Sequence, residues 1–420
     1  MARVLFGIWL ASLSVGAWAE IFIAGPESYR SHLKDLRPGD ILRLEPGTYR
    51  KGLPLRGLQG GAGREIVIEG PAEGGEAVFI AQDGTITISL IDVAHVTIRR
   101  LRLEGRGARA HAVVAEGRAR FSHDVTLEDL RISGYDAAQG YVGISTKAPA
   151  WNWVIRNNHI SDAGTGMYLG NSDGRAPFVA GLIEGNVIER TLGYSLQIKH
   201  QLPRPALAGM PQSSKVTVIR DNVFSKRERG SAGERARPNV LLGHWPLQGA
   251  GRDDRYLVYR NVFLHNPHER LFQGEGHVSL CDNVFVNAWG EAISLQAHND
   301  VPREIDVFDN VIASRSTGLR LSGADPGHRQ RVSGNVMYTE KPNVVPAELQ
   351  TGNVQSAFEE VAALIAGADD AQRVAAVLRA RAPVRSSGGA CLQAPDIMRD
   401  AESAAAGAVT GCGKHGDGSC

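Results

Sequence analysis

The strongest constraint on this chain is a phrase that it keeps repeating: an aliphatic residue, two spacers, an asparagine and, two positions on, another apolar residue. The asparagines are Asn158, Asn186, Asn222, Asn261, Asn283, Asn310 and Asn335. Three residues before them stand Ile155, Ile183, Ile219, Val258, Leu280, Val307 and Val332, and two after them Ile160, Ile188, Phe224, Phe263, Phe285, Ile312 and Met337. The successive spacings of 28, 36, 39, 22, 27 and 25 residues describe a period in the twenties with two insertions. Such a period belongs to a solenoid, in which each unit buries its apolar face on its neighbours. Within a unit the apolar residues alternate, as in Val216-Thr217-Val218-Ile219, which is the period of a strand. A second strand follows after a short gap, as in Gly166-Met167-Tyr168-Leu169 and Ala292-Ile293-Ser294-Leu295. Short strands with glycine-rich turns and no helical spacers predict an all-β right-handed parallel β-helix. The recurring asparagine reads as a turn residue that tolerates left-handed backbone and whose amide bonds its equivalent one coil away.

The ends need other treatment. Arg3, the apolar run Val4 to Val15 and Ala17-Trp18-Ala19 have the order of a secretory leader, so residues 1–19 are expected to be removed on export to a secreted or periplasmic location. That run is too short to cross a bilayer, and no later segment is long and apolar enough, so no membrane span is expected after cleavage. The β-helix is expected over 20–342, with a short helix within Ser28–Leu36 capping the first coil. Residues 343–383, with Val361, Leu364 and Ile365 at helical spacing, form a helical cap or appendage, and 384–420 a Gly/Ser/Ala-rich flexible tail. Four cysteines, Cys281, Cys391, Cys412 and Cys420, are too few for a disulfide scaffold, and their pairing is open. With 46 Lys+Arg against 45 Asp+Glu, the chain has no electrostatic footprint for nucleic acid.

Polar residues that recur at one phase of a solenoid share one stripe of its surface. The segment Leu196 to Arg204 aligns without gaps with Leu295 to Arg303, setting Lys199 against His298, His200 against Asn299, Gln201 against Asp300 and Arg204 against Arg303. His244, Trp245 and Glu275 fall at the same phase, with Asn171 and Asp173 just before them. The insertions at 201–214 and 226–237 would wall this stripe. Each member has a plainer alternative: a solvated lysine, turn histidines, a packed tryptophan. As a cluster, Lys, His and Arg suit an anionic sugar polymer. Cleavage of a uronate by β-elimination needs a neutralised carboxylate, a base for the C5 proton and an acid for the leaving oxygen. A desolvated Lys199 with its pKa lowered can serve as that base. His244 and His298 complete the expected catalytic set. His200, Gln201, Arg204, Trp245, Glu275, Asn299 and Arg303 are the expected substrate contacts, Trp245 by ring stacking. A glycoside hydrolase would instead need two carboxylates, and Asp173, Glu275 and Asp300 are available.

The phrase LKDLRPGDILRLEPGTYR at 33–50, followed by GGAGREIVIEG at 60–70, resembles the opening of the chondroitinase B and alginate lyase family of β-helix enzymes. The resemblance implies a lysine base and an arginine acid on adjacent coils, with calcium bridging the substrate carboxylate. Lys199 matches the base, and Asn171 and Asp173 are the residues expected to meet calcium; no organic cofactor is expected. The segment Leu271 to His277 resembles the family's arginine coil but carries Gln273, so that His244, His298 or Arg204 would take the acid's role. The expected protein is a monomeric lyase of an acidic polysaccharide. The alternatives are an epimerase or hydrolase on the same scaffold, or a non-catalytic glycan-binding surface protein.

Overall fold

The computed structural model describes residues 19–366 and 370–381. It is a parallel β-helix of three sheets with 15, 10 and 12 strands among the described residues. The first sheet runs from Ile21–Ala24 to Gln350–Thr351, the second from Leu53–Arg56 to Leu319–Ser322, and the third from Gly47–Tyr49 to Val354–Ala357. In each regular coil the chain passes from the first sheet to the third and then to the second, and all strand pairs in the three ladders are parallel. The β-helix extends to Ala357, past the boundary expected at 342.

The repeated aliphatic residues form one internal column. Leu127, Ile155, Ile183, Ile219, Val258, Leu280, Val307 and Val332 are in register from coil to coil and have no exposed surface. On the third sheet Ile160, Ile188, Phe224, Phe263, Phe285, Ile312 and Met337 do the same, with Phe263 and Phe285 stacked at 4.4 Å. Burying one such side chain is worth about 1.5–3 kcal/mol, so the columns carry the association of the coils.

The asparagines stack at the bend between the first and third sheets. In each, Nδ2 donates to the next Oδ1 at 2.9–3.0 Å, from Asn158 through Asn186, Asn222, Asn261, Asn283, Asn310 and Asn335 to Asn353. The same oxygen also accepts the preceding asparagine's backbone N–H. The left-handed residue at this bend is not the asparagine but the one before it: Asn157, Gly185, Asp221, Arg260, Asp282, Asp309, Gly334 and Gly352 all have φ between 51° and 65°. The asparagine therefore serves the turn through its amide rather than through its backbone.

The opening phrase closes the first coil. Asp40 is buried, and its carboxylate accepts the backbone N–H of Glu20 at 2.9 Å and of Arg37 at 2.8 Å across the Arg37-Pro38-Gly39 turn. The N-terminal helix is only Tyr29–His32, with Tyr29 packed edge-on against Tyr49 and Phe79. At the other end, helices Glu359–Ala366 and Ala371–Arg381 do not cover the last coil. They lie along the outer face of the third sheet, where Phe358, Val361, Ile365, Val374 and Leu378 bury Val262, Val284, Val286, Val311 and Tyr338. Cys281 is buried and disulfide-bonded. Residues 1–18 of the expected leader, the expected tail and the other three cysteines lie outside the described residues.

Candidate active site

The outer face of the second sheet carries two polar rows. Register sets Val114, Ser145, Tyr168, Gln197, Leu241, Gln273 and Ser294 side by side. The residues that follow at the strand ends, Glu116, Lys147, Gly170, Lys199, Gly243 and Glu275, form the second row. A cavity of about 480 Å³ opens over the first of these coils, lined by His111, Glu116, Gln139, Ser145, Lys147, Tyr168, Tyr194 and Gln197 among others. One wall is the connection through Gln139, whose Nε2 donates to the Arg235 carbonyl at 2.8 Å and so ties that wall to the 226–237 insertion. The 201–214 insertion leaves the opposite edge of the sheet, since it follows Leu196–Ile198 and precedes Val216–Arg220 of the first sheet.

Lys147 dominates the cavity. Its Nζ lies 3.4 Å from the centre of the Tyr168 ring, and the Lys199 Nζ lies 6.0 Å from the same ring. Gly170 stands between the two lysines in the row and has no side chain to keep the amines away from the tyrosine. Burial, with the charge of Lys199 second, lowers Lys147 to a pKa of about 8. Burial also lowers Lys199, which the carboxylate of Glu275 partly opposes. Tyr168 and Tyr194 are both raised by burial and hold their protons through the neutral range. His111 is lowered by burial and then by Lys147, so its imidazole favours the neutral form. Its Nδ1 accepts the Val142 N–H at 3.3 Å, which leaves the ring proton on Nε2. Burial pushes Glu116 up, but hydrogen bonds from Arg118 and Ser89 outweigh it and hold the carboxyl below its usual range.

The other expected site residues separate into two groups. Lys199, His200 and His244 do meet: Lys199 and His200 are adjacent, and the His200 and His244 rings stack at 5.5 Å. His244 is nonetheless buried, with Nδ1 hydrogen-bonded to the Trp245 carbonyl at 2.7 Å. His298 does not share the phase of Lys199. Ile198 registers with Leu242, Gly274 and Leu295, so Gln296 is the counterpart of Lys199 three coils on, and His298 lies beyond it on an exposed loop. The gap-free alignment was displaced by two residues, a slip that leaves every side chain on the same face of the sheet and so escapes a pattern of alternation.

Four expected substrate contacts are spent inside the protein. Trp245 is 1% exposed and stacks on Tyr256 at 4.2 Å, so no face is left for a sugar. Arg204 is buried against Asp254 and donates to the carbonyls of Pro211 and Ser213, which closes the 201–214 insertion on itself. Gln201 is buried and donates to the Phe178 carbonyl at 3.0 Å. Glu275 is buried, and one of its oxygens accepts the backbone N–H groups of His298, Asn299 and Asp300. Arg303, partly exposed in strand Pro302–Phe308, pairs with Asp300 of the preceding loop, where Asn299 is exposed. Asn171 Oδ1 accepts the Ser172 N–H and Asp173 Oδ1 the Arg175 N–H, both at 2.9 Å within their own turn. Calcium takes 6–8 oxygen ligands, more than these two side chains supply.

Sequence reasoning missed Lys147, Tyr168, His111 and Tyr194. A signal was present. Ile144 registers with Met167 and Leu196, so Lys147 follows its strand at the same offset as Lys199 follows its own. Extending the repeat upstream through Val142–Thr146 would have found it.

No protein-family model and no curated protein matches the chain. Among solved structures, a lacto-N-biosidase from Eubacterium ramulus aligns over 80% of this chain and 68% of its own, at 14% identity and a TM-score of 0.53. An alginate lyase from a Paenibacillus species aligns over 80% and 99%, at 15% identity and a TM-score of 0.41. The A-module of a mannuronan C-5 epimerase from Azotobacter vinelandii aligns over 82% and 94%, at 14% and 0.40. At 14% identity the likeness to the lacto-N-biosidase is one of fold alone, and the fold of this chain is the parallel β-helix expected from the repeats.

Proposed function

We propose that the protein is an exported carbohydrate-active enzyme that cleaves a uronate-containing polysaccharide by β-elimination in the cavity over the second sheet. The observation that carries this reading is Lys147: a partly desolvated amine with a pKa of about 8, inside a cavity and beside a second cation. An amine so lowered is neutral in a useful fraction near physiological pH and can accept the C5 proton. Lys199 supplies positive charge for the substrate carboxylate, which makes that proton more acidic. The Tyr168 phenol, which keeps its proton, donates to the leaving glycosidic oxygen, and Tyr194 offers an aromatic face for the sugar ring. Among the described residues Glu116 is the sole carboxylate lining the cavity, which favours elimination over hydrolysis by a carboxylate pair. Export rests on the leader-like residues 1–19. An epimerase would use the same base and return the proton to the opposite face of the sugar.

The test is a panel of alginate, chondroitin and pectate, followed by ultraviolet absorbance of unsaturated uronate, with and without added calcium. Lys147→Ala is expected to lower turnover by about 10²–10⁴ with the fold intact. Lys147→Arg is expected to fail as well, because a guanidinium stays protonated. The parent's kcat/KM should rise with pH through about 8 as Lys147 loses its proton. Unchanged turnover in Lys147→Ala would reject the assignment of the base. Reducing ends without unsaturated product would point to hydrolysis, and inverted C5 centres in uncut polymer to epimerisation.

A further inference from the structure

The first sheet carries a second chemical cluster, distinct from the lysine cavity. Strand Val93–Arg99 pairs with Ser122–Glu128 so that Ala94 faces His123 and Val96 faces Val125. His95 and Asp124 thus occupy the same interruption of the ladder in adjacent coils. Both are left-handed, at φ 51° and 50°, and Asn152 continues the column at 55°. Non-glycine residues seldom adopt this conformation, and their stacking turns side chains of neighbouring coils toward one another. The Asp124 carboxylate is the centre: its Oδ2 lies 2.6 Å from His123 Nδ1 and 3.9 Å from His95 Nε2. One donor atom from each of the three residues falls within a mutual distance of 4.8 Å, the sole such group of His, Cys, Asp and Glu among the described residues.

We propose that His95, His123 and Asp124 bind a zinc-class transition metal that clips two adjacent coils together. Two imidazoles and one carboxylate are a donor set that suits zinc, with a fourth position left to water. Donors about 2.1 Å from a tetrahedral metal lie roughly 3.4 Å apart, between the two distances seen, so small side-chain rotations suffice. The surroundings fix each ligand. Asn152 Nδ2 donates to the other carboxylate oxygen of Asp124 at 3.1 Å, leaving Oδ2 to the imidazoles. The His123 ring stacks on Trp151 at 4.3 Å with an interplanar angle of 11°. Such outer partners set ligand orientation and metal affinity. The three side chains are 16–28% exposed, so a metal can enter and hold a water. On binding, the hydrogen shared between His123 Nδ1 and Asp124 gives way to the metal, and the neutral ring carries its proton on Nε2.

The experiment uses the full chain, stripped with a chelator and titrated calorimetrically with zinc chloride, with cobalt as the spectroscopic probe. His95→Asn and Asp124→Asn are suitable variants, because asparagine tolerates left-handed backbone and should preserve the coil. One zinc equivalent is expected, accompanied by a rise in melting temperature. Both variants should weaken it by more than about 100-fold, and Asn152→Ala by about 10-fold, as for an outer partner. Cobalt should give tetrahedral bands without thiolate charge transfer. Absence of zinc binding, equal affinity in both variants, or a thiolate band would overturn the proposal. Should the variants fold poorly, anomalous scattering from a zinc-soaked crystal decides: density between His95 and His123 supports the site, and density elsewhere rejects it.

Discussion

Arg204 and Asp254 each have 1% of their side chain exposed; the guanidinium also donates to two carbonyls and the carboxylate accepts a backbone N–H, while Arg204 Nε is buried without a hydrogen-bond partner among the described residues. Burial pushes the Asp254 carboxyl up to about 6 even against the adjacent guanidinium. Removing one partner strands the other charge in that environment, at a cost of about 3–5 kcal/mol. Arg204→Ala is therefore expected to lower stability by that amount in urea unfolding, while turnover per folded molecule stays near the parent's. A substrate-contact role would give the reverse, raised KM with unchanged stability. Lys147 and Arg204 are both basic residues after a strand in the sequence. Packing makes one a reactive amine over a tyrosine and the other a bolt inside a loop.

At the scale of the element, the asparagine ladder joins turns that are otherwise separate. Asn222 donates to the Ile183 carbonyl and to Asn261, and accepts both the backbone and side-chain N–H of Asn186, all at 2.9 Å and without solvent. Asn222→Ala orphans several buried polar groups at about 1–3 kcal/mol each. The expected loss is roughly 3–5 kcal/mol, against about 1 kcal/mol for Asn353→Ala, which sits at the partly exposed end of the column. Equal losses in paired urea melts would contradict a ladder that is strongest where it is fully buried. The terminal helices follow another rule. Their apolar stripe matches the outer face of the third sheet, and covering that face spares the solenoid a broad exposed patch.

For the whole molecule, the buried lysines set the response to pH. Lys226 has no exposed surface, donates to the Arg237 carbonyl at 2.8 Å and is lowered by burial to about 7, and Lys147 is lowered to about 8. A lysine depressed in the folded state binds fewer protons than in the unfolded chain between its folded pKa and its ordinary value near 10.5. Stability must then rise with pH across that window. Above about 10 the trend reverses, because Tyr29 and Tyr49, raised by burial to about 12, hold protons that the unfolded chain releases. The protein is expected to be roughly 2–3 kcal/mol more stable at about pH 9 than at about pH 6.5. Lys226→Met should remove much of that slope, and a parent whose unfolding free energy is flat or falling over this range would contradict it.

The architecture was legible in the sequence because it is periodic. Every coil must bury an aliphatic residue at the same offset from an asparagine, and a mismatch in one coil would leave a void or an orphaned amide. The columns of Ile155, Ile183 and Ile219 and of Asn158, Asn186 and Asn222 are therefore written locally and repeatedly. The opening phrase was legible for a similar reason: Asp40 must close the first turn whatever the protein does. The site was legible only in part. Lys199 and His200 were found because they share a strand end, but His298 was placed beside them by a two-residue slip that strand alternation cannot detect. Trp245, Arg204 and Glu275 have the chemistry of sugar contacts and lie at a suitable phase, yet Trp245 packs on Tyr256, Arg204 pairs with Asp254 inside the 201–214 insertion and Glu275 holds the 298–300 turn. Whether a polar side chain meets solvent or the underside of a loop depends on insertions that do not repeat, and that only the tertiary structure decided.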